Sequence, residues 1–165
     1  MKTPSLLAHM RDLLLLPFTV TVIVPYLLYD RDQSVIPHDT RLKIIGLALL
    51  LPGLALLLYT NVLFRLFGKG TLAPWTPTQQ LVITGPYRYC RNPMITGVFF
   101  ILLGESLIIP SLNIMLWAAA FFLINTVYFI VKEEPDLYER FGEPYLNYKA
   151  NVPRWIPRLR PYKNT

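Results

Sequence analysis

Four apolar runs, at positions 13–29, 44–67, 94–110 and 112–131, constrain this chain more than anything else in it. Each comes near the roughly 20 residues that a helix needs to cross a bilayer, the first and third being the shorter. Little polar sequence is left to clothe a soluble fold, since 53% of the 165 residues are hydrophobic and only 16% are charged. Mean hydropathy is +0.39. The expectation is an all-α, multi-pass membrane protein of one domain with about four transmembrane helices, because only helices and closed barrels satisfy their backbone in hydrocarbon.

Charge placement sets the orientation. With both termini and the 65–93 segment on the cytoplasmic side, every Lys and Arg lies inside except Arg31, Arg41 and Lys43. That bias follows the positive-inside rule. The net charge of +6 therefore reads as topology and contact with anionic lipid. No motif that reads RNA or DNA is visible, so nucleic acid is not an expected partner. Lys2 and Arg11 precede an apolar stretch as in a signal peptide, but no small-residue cleavage site follows, and the first run reads as a retained span. The single cysteine, Cys90, rules out an internal disulfide and reads as a small apolar filler.

In chain order, Pro17 and Pro25 predict a kinked first span. The loop at 30–43 holds His38 among aspartates without a standard ligand spacing, so it reads as solvated and no metal site is expected. The second span carries Gly46, Pro52 and Gly53, which permit close helix packing. Asn61 and Arg65 near its inner end can face a polar cavity. Gly68-Lys69-Gly70 is a weak phosphate-loop signal with no strand before it and reads as a helix end, with Trp75 laid in the interface. Glu105 sits deep in the third span. It is a functional candidate by its depth, and equally a structural partner of Ser106, Asn113 or Asn125.

Between connector and third span lies Gly85-Pro86-Tyr87-Arg88-Tyr89-Cys90-Arg91-Asn92-Pro93. Asn92 suits an N-cap and Pro93 a first helical turn. A helix N-terminus flanked by the guanidiniums of Arg88 and Arg91 attracts anions. The hairpin of the last two spans returns Glu133-Glu134 to the same membrane face. Together these groups can hold a zwitterion, the carboxylates taking its ammonium and the basic end its carboxylate. Beyond Pro135 the chain predicts a separate surface helix, a second short helix from Pro144, and an extended tail through Val152-Pro153-Arg154-Trp155. That tail reads as an interfacial anchor or as a lid over a cofactor.

From Gly70 to Pro157 these motifs resemble the isoprenylcysteine carboxyl methyltransferase and phospholipid methyltransferase family of integral membrane enzymes. The parts are Leu81-Val82, Gly85-Pro86-Tyr87-Arg88-Tyr89, Arg91-Asn92-Pro93-Met94 with Gly97, Glu133-Glu134, and Phe141-Gly142-x-x-Tyr145-x-x-Tyr148 ending Val152-Pro153-Arg154. The resemblance implies S-adenosylmethionine as cofactor and a lipophilic or lipid substrate. It implies cofactor contacts at Gln79, Gln80, Leu81, Val82, Tyr87, Asn92, Pro93, Met94, Ile95 and Glu133. Arg91 and Glu134 become the candidate catalytic pair, with Glu105 and Phe129 as candidate substrate contacts. The division it suggests is two spans at 1–67, a cytoplasmic connector at 68–93, a hairpin at 94–131 and, at 132–165, a cytoplasmic segment that builds the cofactor pocket.

Three positions differ from the family pattern. Asn92 stands for the usual histidine, Ile95 for a tyrosine, and Phe129 for the arginine that serves a prenylcysteine substrate. Two other readings stay open: a nicotinamide-dependent membrane reductase of the sterol-reductase type, and a non-catalytic protein that binds lipid or a partner.

Overall fold

The computed structural model describes residues 7, 11–12, 14–29, 39–69 and 78–163. His38, Gly70 and Trp75, on which three of the expectations above fall, lie outside them. The described residues form helices and no strand: α1 Leu14–Tyr29, α2 Thr40–Gly68, α3 Pro93–Ile108, α4 Leu112–Phe141 and α5 Glu143–Asn151. Two of them, α2 and α4, are long and apolar enough to cross a membrane, each with a mean hydropathy of 2.2. The apolar helices α1 and α3 are shorter.

Pro17 lies inside a π-helical stretch over Leu14–Ile23, and Pro25 lies in the first turn of the α-helical end Val24–Tyr29. Trp117 of α4 donates its indole N–H to Val20 O at 3.1 Å. Likewise Thr21 Oγ1 donates to Pro17 O at 2.8 Å. A neighbouring helix and a hydroxyl thus satisfy carbonyls that lipid could not.

Glycines decide how α2 meets α3. A Cβ at Gly97 would lie 2.8 Å from Gly53 O, and one at Gly104 would lie 2.6 Å from Gly46 O. Both contacts are backbone against side chain, with no room to yield. The two glycine pairs sit two turns apart on antiparallel helices, so the axes run close along their length. Between α3 and α4 the chain turns at Ser111, whose Oγ caps α4 by accepting from Ile114 N at 3.1 Å. Leu102 of α3 and Ile114 and Ala118 of α4 are fully buried at the centre of this packing.

One boundary differs from expectation. The helix does not stop at Glu133-Glu134-Pro135 and restart on the surface; α4 runs on to Phe141. Pro135 needs relief from the carbonyl a turn behind it. A π-helical turn over Phe129–Glu133 supplies that relief, with Glu134 N–H reaching back to Phe129 O. Gly142 then takes a positive φ of 59° and starts α5 in a new direction.

Candidate active site

The stretch before α3 is held from two sides. Gly85–Arg88 forms a single 3₁₀ turn, entered through Gly85 at φ 58°. From behind, Tyr148 of α5 donates its hydroxyl to Tyr87 O at 2.6 Å. Burial pushes the phenols of Tyr87 and Tyr148 well above their usual pKa, so both stay protonated. From the front, the extended tail after α5 straps across: Pro153 O takes Arg91 N–H at 2.9 Å, and Tyr89 O takes Arg158 N–H at 3.0 Å. Tyr162 N–H bonds Arg88 O, and Arg88 Nε returns the bond to Tyr162 O at 2.7 Å.

At the centre of this strap is Glu134, only 6% exposed. Its Oε1 meets Arg91 Nη1 at 2.7 Å and Arg154 Nη2 at 2.7 Å, and its Oε2 meets Lys149 Nζ at 2.8 Å. Arg91 also donates Nε to Val152 O at 2.9 Å. One carboxylate thus ties α4 to the loop before α3, to α5 and to the tail. The guanidinium of Arg91, expected from sequence to await an anion, is instead paired with Glu134, while Arg88 gives its Nε to the Tyr162 carbonyl.

A cavity of about 810 Å³ opens beside this knot, walled by α1, the C-terminal half of α2, the start of α3, and α4. Of the residues singled out in the sequence, Leu81, Val82, Tyr87, Arg91, Asn92, Met94, Ile95, Phe129, Glu133 and Glu134 all line it. Asn61, Arg65 and Arg88 are not in its wall, and neither are four of the candidate site residues. Gln79 and Gln80 are exposed and meet α2 through their backbone N–H groups, both directed at Gly68 O. Pro93 is buried in the first turn of α3 and lines a second cavity. Glu105 lies three turns farther along α3; its Oε2 is buried without a hydrogen-bond partner among the described residues. Two of the partners considered for it direct their donors elsewhere, Ser106 to Leu103 O and Asn125 to Phe121 O.

Two polar groups in the cavity wall are under-used. Asn92 occupies the N-cap position of α3, but its side chain makes no cap bond. It is 8% exposed, and its Nδ2 is buried with no acceptor among the described residues. Glu133, one residue from the knot but on another face of α4, receives only a long bond from Tyr128 OH to its Oε2, at 3.4 Å. An unmet donor and a lightly held carboxylate thus share the wall of one cavity, the complement a zwitterion requires.

Sequence reasoning overlooked Asn125, Tyr128 and Arg140 as cavity residues and Lys149 as a partner of Glu134. The first three follow the three-to-four-residue step of α4 through Phe121, Asn125, Tyr128, Lys132, Asp136 and Arg140, all in the wall. A helical-face reading extended past Glu133 would have found them. Arg140 donates Nη1 to Thr78 O at 2.8 Å and lies over the Phe141 ring.

Residues 42–144 match the phospholipid methyltransferase family model. The mouse and rat (Mus musculus, Rattus norvegicus) protein-S-isoprenylcysteine O-methyltransferases are similar as well, each 33% identical over 90 residues. That match takes in 52% of this chain and 30% of the length of either relative.

Proposed function

The chain belongs to the phospholipid methyltransferase family, and from that premise we propose that it transfers a methyl group from S-adenosylmethionine to a lipophilic acceptor at the cytoplasmic face of a membrane. When bound, that cofactor supplies an electrophilic methyl on a sulfonium. The observation that carries the reading is the pairing of Asn92 Nδ2, buried without an acceptor, with the lightly held Glu133 in one cavity. Glu133 takes the ammonium of the cofactor's methionine part, and Asn92 with the first N–H groups of α3 takes its carboxylate. Leu81, Val82, Met94 and Ile95 provide the apolar remainder of the wall.

The same cavity reaches Leu16, Pro17 and Val20 on α1 and Ile124 on α4, an apolar side suited to an acceptor that arrives from the bilayer. Alignment and exclusion of water are what such a transfer needs most. Glu134, with both oxygens engaged by cations, is a positioning residue that keeps Arg91 and the tail in register, not a proton acceptor. Phe129 presents an aromatic face where a guanidinium would be needed to grip a substrate carboxylate, so a neutral or cationic head group suits the site better than a prenylcysteine.

For topology we favour four crossings by α1 to α4, with both termini cytoplasmic and one membrane domain over 1–165. The connector 68–93 and the segment 132–165 then cover the pocket from inside.

Titration calorimetry of the detergent-solubilised protein with S-adenosylmethionine and with reduced nicotinamide nucleotide tests the cofactor. Incubation with methyl-labelled cofactor and a total lipid extract tests the reaction. Expected are binding of S-adenosylmethionine alone and label in the organic phase, with a prenylcysteine analogue left unmethylated. Binding of the nicotinamide nucleotide instead would point to a reductase; binding of neither would leave a non-catalytic protein.

A further inference from the structure

On the other side of α3 a second cavity of about 650 Å³ lies among Tyr59 of α2, Tyr89 before α3, Phe100 of α3, Phe122 of α4 and the strap residues Trp155 and Pro157. Its wall is almost entirely hydrocarbon and aromatic. Among its residues Trp155 has an indole Nε1 that is buried without a hydrogen-bond acceptor among the described residues. A buried donor left unmet in an apolar wall is costly. Phe122 fixes that indole, ring against ring at 4.8 Å.

The strap beside this cavity has the composition of a segment that lies in a bilayer interface. Ile156 is 79% exposed and Leu159 98% exposed, and between and beside them come the cations Arg158 and Arg160. Apolar side chains fully exposed next to arginines match an interface in which the former enter the acyl region and the latter meet phosphate.

We propose that this cavity is a binding site for one acyl chain of an anionic phospholipid of the surrounding bilayer. The chain lies against Tyr59, Phe100 and Phe122, an ester carbonyl accepts from Trp155 Nε1, and the phosphate sits over Arg158 and Arg160. The site is distinct from the cavity that holds Asn92 and Glu133. It depends on the chain being embedded in a bilayer and not on the methyl-transfer reading, so either can fail without the other.

The test uses the full chain in nanodiscs of phosphatidylcholine doped with phosphatidylglycerol or phosphatidylcholine brominated on the acyl chains. Bromine quenches indole fluorescence at contact. The part of the signal that disappears in Trp155→Phe reports on Trp155. Brominated phosphatidylglycerol is expected to quench that part at a mole fraction about tenfold lower than brominated phosphatidylcholine, the preference that two arginines at an anionic lipid confer. In Arg158→Gln with Arg160→Gln the preference is expected to vanish while quenching by either lipid persists at high mole fraction. Leu56→Phe, which adds bulk to the cavity wall, should weaken both. Equal quenching by the two lipids in the unmodified protein, unmoved by Leu56→Phe, would mean contact with bulk lipid only and would overturn the proposal. So would an absence of quenching.

Discussion

Asn92 and Glu133 matter for what they leave undone, and Glu134 for how much it does. A carboxylate with a single 3.4 Å hydrogen bond keeps most of its accepting capacity for a ligand. A charged hydrogen bond contributes about 1.5–3 kcal/mol, so Glu133→Gln should weaken binding of S-adenosylmethionine by about ten- to hundredfold. Calorimetry reads this directly, and helical content by circular dichroism should not move. Glu134→Gln should behave in the opposite way. It strands three cations, of which Arg91 is 11% exposed, Arg154 23% and Lys149 42%. Breaking a buried pair costs about 3–5 kcal/mol, and this partial exposure places the loss near the lower end. A clear drop in the midpoint of thermal unfolding in detergent is the expected result, and an unchanged midpoint would remove Glu134 from the role given to it. Cys90 offers a pH test. Burial pushes its thiol up to about 11. At pH 8 the thiolate fraction then falls from about one in ten to about one in a thousand, and alkylation slows in proportion. The unfolded chain ionises this thiol from about pH 9 and the folded protein only near 11, so its contribution to stability is intact below pH 9 and is lost as pH rises through 11. Iodoacetamide kinetics across pH 7–10 check the first statement, and thermal unfolding midpoints across pH 8–11 check the second.

At the scale of elements, the pocket depends on two helices whose axes are brought together by absent side chains. Gly53 with Gly97 and Gly46 with Gly104 leave less than 3 Å for a Cβ against a facing carbonyl. Gly97→Ala must push α2 and α3 apart, and overpacking of this kind typically costs about 1–3 kcal/mol. Because α3 carries Asn92, Met94 and Ile95 into the cavity, the substitution should lower both thermal stability and cofactor affinity although Gly97 contributes no atom to the cavity wall. A substitution at Gly142 would act differently. A Cβ there meets nothing within 4 Å, and only its positive φ resists a side chain, so the cost is conformational and confined to the entry of α5.

For the molecule as a whole, the proposed orientation places the start of α2 on one side of the membrane and the strap on the other. The lipid-facing surfaces fit a bilayer: Leu51 on α2 is 55% exposed and Leu123 on α4 is 63% exposed, which water would not favour. Arg41 and Lys163 are both exposed. In a Cys90→Ser background, Arg41→Cys should react with a membrane-impermeant maleimide only from outside and Lys163→Cys only after the cells are opened. Labelling of both from one side would discard the four-crossing arrangement. Truncation after Asn151 is a second test at this scale. It deletes Arg154 and every hydrogen bond from the strap to residues 88–92, and should abolish cofactor binding while leaving α1 to α4 inserted.

How much of this was legible beforehand follows from the range of the interactions involved. Helical class, the apolar runs, the turn at Ser111 and the family resemblance follow from local pattern: backbone in hydrocarbon must pair within its own helix, and caps and prolines act over a few residues. The pairing of Asn92 with Glu133 was legible because a hairpin of two similar helices returns its ends to one level, whereas Leu81 and Tyr87 were implied only by the family resemblance. What the sequence could not express was which partner each charge takes. Arg91, Lys149 and Arg154 are 43, 15 and 20 positions from Glu134 along the chain, and nothing local distinguishes Glu134 from Glu133. Their opposite tasks arise from the rotation of α4 about its axis, which the π-helical turn at Phe129–Glu133 adjusts by a fraction of a turn. The continuation of α4 past Pro135, the acceptor that Trp117 finds at Val20 and the unmet donor of Asn92 are likewise outcomes of packing between distant segments, settled only when the helices meet.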